Sequence, residues 1–213
     1  MGTQATAVLV AKAKAKAKSS MDSDTWCSPV IVAEPLAQFF GGPAAVDPCT
    51  NPNSIIEAKR GLCAGGLHLP WAHVDDDEHT VYRNNPYSVT DPWVEKSIRE
   101  QAIAQVRVDE EVFLTMVATS TKWWRKQCGV YPVLIAGTGI KGKDGKYKPG
   151  TGVELFAPRN PRLLFTGRLR FIGDVDSGAR FDTVLGYYGS SAKRQRAFDK
   201  EFKSITKWST WGR

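Results

Sequence analysis

Apolar residues recur along the chain with the period of a strand in some segments and with the period of a helix in others. These segments follow one another in turn and predict alternating strands and helices. Short apolar runs that end in polar turns predict strands at "AAVD", "VYR" and "EVFLTMV", with a further apolar run at "YPVLIAG". Helices are predicted at "SPVIVAEPLAQFF", "DPWVEKSIREQAIAQV", "TKWWRKQCG" and "SAKRQRAFDKEFKSITKW". Ser28 and Asp91 are the predicted N-caps of the first two helices, because a proline follows each.

The order of these elements predicts an α/β fold with an open, mostly parallel sheet. "LLFTGRLRFIG" and "FDTVLGYYG" are separated by about one loop and predict a C-terminal antiparallel pair. Residues 21–213 are expected to form a single domain. Residues 1–20 contain "AKAKAKAK", which has no apolar face at either period, and are expected to be a disordered basic arm. A Gly/Lys-rich stretch predicts a basic loop insertion near 137–162.

The net charge of +7 conceals a strong asymmetry between the two halves of the chain. Residues 21–121 hold 6 basic and 15 acidic residues, whereas residues 122–213 hold 19 basic and 7 acidic residues. A basic half joined to an acidic half favours one face turned toward a polyanion, although a solvated basic surface has the same composition. No apolar run is long enough to cross a bilayer, so no membrane association is expected.

The four cysteines and three histidines lack the spacing of a metal site. No metal ion is therefore expected. A disulfide framework is also not expected in a chain of 213 residues, which favours a reducing, cytoplasmic location.

Polar residues follow two of the predicted strands, at the ends where ligands bind in open α/β sheets. Asp47 ends the first strand in "VDPCTNPNS", where a carboxylate can accept hydrogen bonds from the ammonium or hydroxyl groups of a cofactor. An Asp-Pro turn accounts for the same residues. No GxGxxG or P-loop accompanies them, which argues against a dinucleotide or a phosphoryl-transfer site.

The second strand end carries "RNNPYS". Pro86 fixes the turn, so the side-chain carbonyl of Asn84 and the main-chain carbonyl of Asn85 can accept both hydrogens of an exocyclic amino group. Tyr87 can stack on the ring that bears this group, a contact worth roughly 1–3 kcal/mol for a nucleobase. The pattern therefore predicts a clamp for an amino group on a flat heterocycle.

"RNNPYS" resembles the NPPY motif of amino-group DNA methyltransferases. The chain as a whole resembles the phage-type DNA N6-adenine methyltransferase family (Dam-type) in the order and spacing of "WCSP", "VDPCTNPNS", "GGLHLPW", "VYRNNPYSVTDPWVEKS", "VATSTKWWR", "LLFTGRLRF" and "FDTVLGYYG". The resemblance implies a Rossmann-like methyltransferase fold, S-adenosylmethionine as methyl donor, and adenine in double-stranded DNA as acceptor. A stacked base cannot reach a clamp of this kind, so the target base must flip out.

The resemblance also implies a role for each matched position. Asn84, Asn85, Pro86 and Tyr87 are expected to hold the adenine. The donor is expected to lie against a set of residues from the two N-terminal motifs, namely Trp26, Ser28, Pro29, Asp47, Cys49 and Thr50. DNA is expected to contact basic and aromatic residues of the C-terminal half, namely Lys122, Trp124, Arg125, Lys141, Lys143, Arg168 and Arg170. The protein is expected to be a monomer, in the bacterial host cytoplasm if phage-encoded.

Two positions depart from the family pattern. Asn85 replaces the usual proline, and Gly65 stands where an acid usually precedes "GL". Two alternatives are therefore kept. One is a DNA-binding protein with a methyltransferase-like fold that has lost turnover. The other is a methyltransferase that acts on RNA or on a protein amide, because the clamp suits any planar amide or amine.

Overall fold

The computed structural model describes residues 23–135, 153–158, 160–173, 179, 181–189 and 191–210. The predicted disordered arm, Lys141 and Lys143 lie outside these residues, as does most of the predicted loop insertion. The helices are α1 (Val30–Phe40), α2 (Thr90–Ala102), α3 (Lys122–Gln127) and α4 (Ala192–Glu201). The strands are β1 (Ala44–Asp47), β2 (Ala58–Gly61), β3 (Thr80–Arg83), β4 (Glu110–Met116), β5 (Val133–Ile135), β6 (Val153–Leu155), β7 (Arg162–Gly167), β8 (Thr183–Tyr188) and β9 (Trp208–Thr210).

Seven of these strands form one mixed sheet in the order β2-β1-β3-β4-β8-β7-β9. The first four are parallel to one another, and β8 is antiparallel to both β4 and β7. Because β8 is antiparallel to both of its neighbours, β7 runs in the same direction as β1 to β4. β9 is antiparallel to β7. The predicted mixed α/β architecture and the predicted antiparallel pair of β7 and β8 are confirmed. β5 and β6 form a separate antiparallel pair.

The strands that follow β1 in the chain are added on opposite sides of it. β2 follows β1 in the chain and pairs with one of its edges, whereas β3 pairs with the other edge. The carboxyl ends of β1 and β3 therefore flank a topological switch point, where the connections that leave the two strands diverge and open a crevice. Asp47 is the last residue of β1, and Asn84 directly follows β3.

Helices cover both faces of the sheet. On one face, Phe39 of α1 and Phe198 of α4 pack with Leu114 of β4. On the other face, Trp124 of α3 packs with Phe113 of the same strand. This alternation follows from the two-residue period of a strand, which sends neighbouring side chains to opposite faces. The core is thus two apolar layers separated by the sheet.

Gly186 on β8 lies directly opposite Phe113 on β4. A Cβ atom at Gly186 would come within 1.9 Å of the Phe113 ring. The Phe113 ring therefore occupies the space above this glycine. The guanidinium carbon of Arg83 lies 5.1 Å from the centroid of the same ring. Gly186, Phe113 and Arg83 form a continuous contact from β8 to the end of β3.

Two details of the sequence interpretation change. Helix α1 begins at Val30 with Pro29 as its cap, so Ser28 is not the N-cap, and its hydroxyl bonds to Tyr82 instead. Helix α2 begins at Thr90 with Val89 as its cap, so the prediction of Asp91 as N-cap is also wrong, and Asp91 lies in the first turn. Strands β2, β6 and β9 have three or four residues each and were not predicted. β2 alternates between exposed and half-buried positions, so it lacks the apolar run by which the other strands are recognised.

Candidate active site

Asp47 and Asn84 line the same polar cavity at the switch point. Its volume is about 20 Å³, which is room for about one water molecule. The walls come from the segment before α1, the turn after β1, and the end of β3. The lining residues are Asp24, Trp26, Cys27, Ser28, Asp47, Cys49, Asn51, Ser54, Tyr82 and Asn84. The cavity therefore joins the two strand ends that the sequence singles out.

The Asp47 carboxylate is almost completely buried, with 3% of the residue exposed. Its Oδ1 accepts a hydrogen bond from the main-chain N–H of Cys49 at 2.9 Å. Burial raises the pKa of Asp47 to about 7, and the Cys49 hydrogen bond opposes this rise. A cationic or hydroxyl-bearing ligand would replace part of the hydration that the carboxylate loses on burial, so Asp47 is suited to hold one.

Tyr82 forms the floor of the cavity beside Asp47. Its hydroxyl shares a hydrogen bond of 2.5 Å with the hydroxyl of Ser28. Burial raises the pKa of Tyr82, so the phenol stays neutral at physiological pH. Tyr82 was not among the residues predicted from the sequence. The two-residue period of the strand could have indicated it, because Tyr82 and Asn84 are two residues apart and project to the same side.

The Asn84 side chain is held from both ends. Its Nδ2 donates to the main-chain oxygen of Trp26 at 3.3 Å, and its Oδ1 accepts from the Tyr87 hydroxyl at 3.1 Å. These two bonds fix which end of the amide is the carbonyl. An amide oxygen has two lone pairs, so one acceptor position on Oδ1 is left for a ligand.

The Tyr87 ring is buried, with 6% of the residue exposed. It packs edge to face against Phe171 and Phe181, with centroid distances of 6.0 and 5.1 Å. Trp26 stacks on the same two phenylalanines. Tyr87 therefore reaches the cavity through its hydrogen bond to Asn84 and not through an open ring face. Stacking of Tyr87 on a base stays a prediction that requires one face of the ring to be uncovered.

Asn85 is also buried, and its side chain explains how the turn is held without the usual proline. Asn85 Oδ1 accepts a short hydrogen bond from Arg83, and Nδ2 donates to the hydroxyl of Thr90 and to the main-chain oxygen of Pro86. These bonds fix the side chain on three sides. The turn is therefore positioned by a polar network around the Asn85 side chain.

Arg83 and Glu111 form the centre of this network as a fully buried ion pair, with Nε and Oε1 at 2.7 Å. Glu111 Oε2 also accepts from the side chains of Ser97 and Gln101. Ser97 and Gln101 lie on α2, so the network joins β3, β4 and α2 behind the Asn84 turn. This pair was not predicted from the sequence, although charged residues of opposite sign within two buried strands are a signal that could have indicated it.

Two hydrogen bonds between Asp24 and Ser88, here called the latch, join the N-terminal wall of the cavity to the turn after Asn84. The two carboxylate oxygens of Asp24 accept hydrogen bonds from the main-chain N–H and the hydroxyl of Ser88, the former at 2.9 Å. Ser88 lies in the 3₁₀ turn Tyr87–Val89, directly after the Asn84 turn. Both latch bonds are exposed to solvent, so they can open at little cost.

The other predicted donor-site residues lie around this cavity with different environments. Cys49 lines the cavity, and burial raises the pKa of its thiol, which stays protonated. Pro29 is buried at the start of α1. Thr50 packs against Gly61, since a Cβ atom there would lie 2.4 Å from Thr50 Cγ2. Thr50 is thus adjacent to the cavity without lining it.

Most of the predicted DNA contacts that the structure describes are exposed. Lys122 and Arg125 lie on the outer side of α3, and Arg125 donates to the hydroxyl of Tyr131 at 2.7 Å. Arg168 and Arg170 are both exposed, with buried Leu169 between them, as expected if the two arginines face the same way. Trp124 is different. Its ring is buried in the core layer with Phe113, so it is a packing residue and not a DNA contact.

Neither a metal centre nor a membrane span is present within the described residues. No group of three or more His, Cys, Asp or Glu side chains comes together there as a set of metal ligands. None of the described helices is long and apolar enough to cross a membrane.

The fold and the site together define an α/β protein with a polar cavity, a candidate ligand site, at the switch point of its sheet. No curated protein and no solved structure gives a significant match to the chain. The model of one family does match, over residues 14–184. The chain belongs to this family, the DNA N-6-adenine-methyltransferase (Dam) family. The recognition from the sequence motifs is confirmed, and membership supports DNA adenine methylation as the broad activity.

Proposed function

We propose that this protein transfers a methyl group from S-adenosylmethionine to the N6 amino group of adenine in double-stranded DNA, acting as a monomer on a flipped-out base. The observation that carries the proposal is the shared cavity of Asp47 and Asn84 at the switch point. Of the two residues, Asp47 suits a cationic donor and Asn84 suits an amino-group acceptor. Membership of the DNA N-6-adenine-methyltransferase family supports the same reaction.

The residues around Asp47 fit a methyl donor of this kind. S-adenosylmethionine, when bound, supplies an electrophilic methyl group on a sulfonium centre. The buried carboxylate of Asp47 would accept a hydrogen bond from an ammonium or hydroxyl group of the donor, which offsets part of the cost of burying a charged Asp47. Trp26 Nε1 is buried without a hydrogen-bond partner among the described residues, so its N–H is available to donate a hydrogen bond to a ligand, beside the acceptor at Asp47. Ser28, Pro29, Cys49 and Thr50 would complete the walls.

At about 20 Å³ the cavity is too small for such a donor, so the segment before α1 would have to move. The bonds of this segment to Ser88 and Asn84 would then open. The paired main-chain bonds between Cys27 and Ile172 and the bond between Ser28 and Tyr82 would also have to open or shift. Separation of that segment from the turn enlarges the space above Asp47. The same movement withdraws Trp26 from the aromatic group around Tyr87, which exposes the neighbourhood of the ring to an incoming base.

The turn of Asn84 to Tyr87 would hold the adenine. The N6 lone pair of adenine is delocalised into the ring, so the amino group is a weak nucleophile. Asn84 Oδ1 and the main-chain carbonyl of Asn85 would accept its two N–H groups and favour a pyramidal nitrogen. The Tyr87 hydroxyl keeps Asn84 Oδ1 turned toward the cavity. Positioning and electrostatics thus replace a general base, and the surplus proton leaves to water.

The exposed basic residues on α3 and directly after β7 support a footprint on the DNA backbone. Lys122, Arg125, Arg168 and Arg170 are all exposed. Such contacts neutralise phosphates and fix the register of the duplex, and they do not themselves read a sequence. Lys141 and Lys143, which lie outside the described residues, are proposed to extend this footprint.

Incubation of unmethylated duplex DNA with the protein and S-adenosylmethionine tests the proposal. Digestion to nucleosides followed by mass spectrometry should detect N6-methyladenine. Asn84→Ala should remove this product while DNA binding persists. Gln38→Ala removes an exposed helical amide of similar chemistry and should leave product formation unchanged. Product on RNA only, or no product from the parent protein, would reject the proposed reaction.

A second candidate is a DNA-binding protein of this family without turnover. The observations that favour it are the buried Tyr87 ring and the small volume of the cavity. Gly65 in place of an acid points the same way. It predicts retention of DNA in an electrophoretic shift assay, with no N6-methyladenine and no binding of the donor in isothermal titration calorimetry.

A further inference from the structure

The C-terminal helix carries a stripe of exposed basic residues that the proposed footprint does not include. Its members recur at alternating intervals of three and four residues, namely Lys193, Arg196, Lys200, Lys203 and Lys207, and all five are exposed. This interval keeps side chains on one face of a helix. The stripe continues past the end of α4 because main-chain bonds from Phe202 to Phe198 and from Lys203 to Lys200 extend the helical turns.

The other side of the helix is fixed in the core. Phe198 and Phe202 are fully buried, and Ile205 is 4% exposed. An amphipathic basic helix that binds a lipid surface inserts its apolar face into the membrane. Here that face is already packed against α1 and the sheet, so only the basic face is available to a partner. The stripe is therefore suited to a hydrated polyanion and not to a bilayer.

The acidic residues of the helix do not neutralise the stripe. Asp199 is taken by Arg162, with two bonds of 2.7 and 3.0 Å. Glu201 makes a loose contact of 3.8 Å with Lys200. Within the described part of the chain, Lys193, Arg196, Lys203 and Lys207 have no carboxylate within ion-pair distance. Four of the five charges are thus available to an external anion.

The stripe extends from the amino ends of the parallel strands toward their carboxyl ends. Arg194, next to its first member, forms an ion pair with Glu110 at the start of β4, at the edge opposite the cavity. Lys207, its last member, donates its main-chain N–H to Phe165 near the carboxyl end of β7. Arg168 and Arg170 follow β7 directly, so the stripe runs from the proposed footprint along the side of the molecule.

We infer that this stripe is a second contact surface for the DNA backbone, which holds duplex flanking the target base outside the catalytic cleft. From residue 193 to residue 203 the stripe spans about 15 Å, at 1.5 Å per helical residue, close to the axial length of four base pairs. The inference rests on DNA as the proposed partner. It adds that a duplex that extends beyond the cleft is bound with higher affinity and dissociates more slowly than a short duplex.

The test compares the parent protein with a triple variant, Lys193→Gln, Arg196→Gln and Lys203→Gln. On a duplex of about 40 base pairs, the slope of log Kd against log salt concentration should be smaller by about 2 to 3, since each lost phosphate contact lowers it by about 0.9. On a duplex of about 12 base pairs, which only covers the cleft, affinity and methylation rate should be unchanged. A matched control, Lys59→Gln with Arg107→Gln in the acidic half, should leave both slopes unchanged.

Equal salt slopes for the parent and the triple variant on the long duplex would overturn the inference. Equal weakening on long and short duplexes would also overturn it, because the residues would then belong to the cleft. Thermal unfolding of the variants confirms that the fold is retained. The salt dependence of Kd can be measured without methyl transfer. If the protein binds DNA but forms no N6-methyladenine, the proposed reaction is rejected, and the comparison of salt slopes still tests the second contact surface.

Discussion

Asp47 and Asn84 lie at the ends of neighbouring parallel strands and line one polar cavity, with the Asp47 carboxylate buried and the Asn84 carbonyl turned by Tyr87. A carboxylate and an amide carbonyl on adjacent strand ends can hold two ligands side by side. Their different chemistry predicts different consequences when each is altered.

Substitution of Asn84 should separate binding from chemistry. Asn84→Ala removes the carbonyl that polarises the amino group, so kcat should fall by about a hundredfold or more, as for removal of one stabilising group in other active sites. Affinity for a duplex should change little, because phosphate contacts dominate it. Single-turnover methylation and fluorescence anisotropy measure the two quantities. A parallel loss of both would contradict this role, and Gln38→Ala serves as the amide control.

Asp47 should make folding stability depend on pH. Burial raises its folded-state pKa to about 7, above the unfolded value of 3.8, so the folded chain retains a proton that the unfolded chain loses in this interval. Stability therefore falls as pH rises from about 4 to about 7 and is level above that. Asp47→Asn should be more stable than the parent at about pH 8, by up to about 4 kcal/mol, and nearly equal at about pH 4.

The same carboxylate should govern donor binding in the opposite direction. Ionised Asp47 is the form that accepts from a cationic or hydroxyl group, so affinity for the donor should rise with pH up to about 7 and then level off. Asp47→Asn should abolish this dependence and weaken binding in titration calorimetry. Asp77→Asn removes an exposed acid and is the control. A pH-independent affinity in the parent would count against Asp47 as the donor contact.

The buried pair of Arg83 and Glu111 should be costly to break and cheaper to replace. Arg83→Met leaves Glu111 charged in the core, for which a loss of about 3–5 kcal/mol is expected in urea unfolding. The double variant Arg83→Met with Glu111→Leu should recover part of that loss. Lys59→Met breaks the exposed pair with Glu78 and should cost at most about 1 kcal/mol. Additive losses in the double variant would mean that the two buried charges do not depend on each other.

Opening of the latch should change the rate at which the donor enters. Asp24→Ala removes both bonds to Ser88, so the segment before α1 should separate more readily and the association rate of the donor should rise. Stopped-flow measurement of tryptophan fluorescence, with Trp26 in the moving segment, follows this rate. Asp75→Ala alters an exposed acid elsewhere and should have no effect. An unchanged association rate would show that the cavity opens by another movement.

The sequence predicted the order of the elements and both strand ends of the site, because these depend on local patterns. Apolar runs identified β1, β3 and β4, and the polar residues that follow β1 and β3 stand out by type. The position of β1 between β2 and β3 could not be predicted in this way, since β2 has too few apolar residues to be recognised. Proximity of Asp47 and Asn84 depends on that pairing.

The side-chain environments were also beyond local patterns. From the sequence, Asn85 was a departure from the family pattern, whereas in the structure three hydrogen bonds hold it, one of them from the buried Arg83. Tyr87 was predicted to stack on a base and Trp124 to contact DNA, whereas both rings are packed in the core. Burial depends on which helices cover each face of the sheet, and this information lies in residues far along the chain.

The close contact at Gly186 limits how the thermal stability of this protein can be increased. Replacing strand glycines by alanine is a common route to thermostable variants, because it reduces the freedom of the unfolded chain. At Gly186 the added methyl group would meet the Phe113 ring, which borders Arg83, so the displacement would pass to the Asn84 turn. A library of variants designed for thermostability should therefore keep glycine at position 186, because a larger residue there would disturb the geometry of the Asn84 turn.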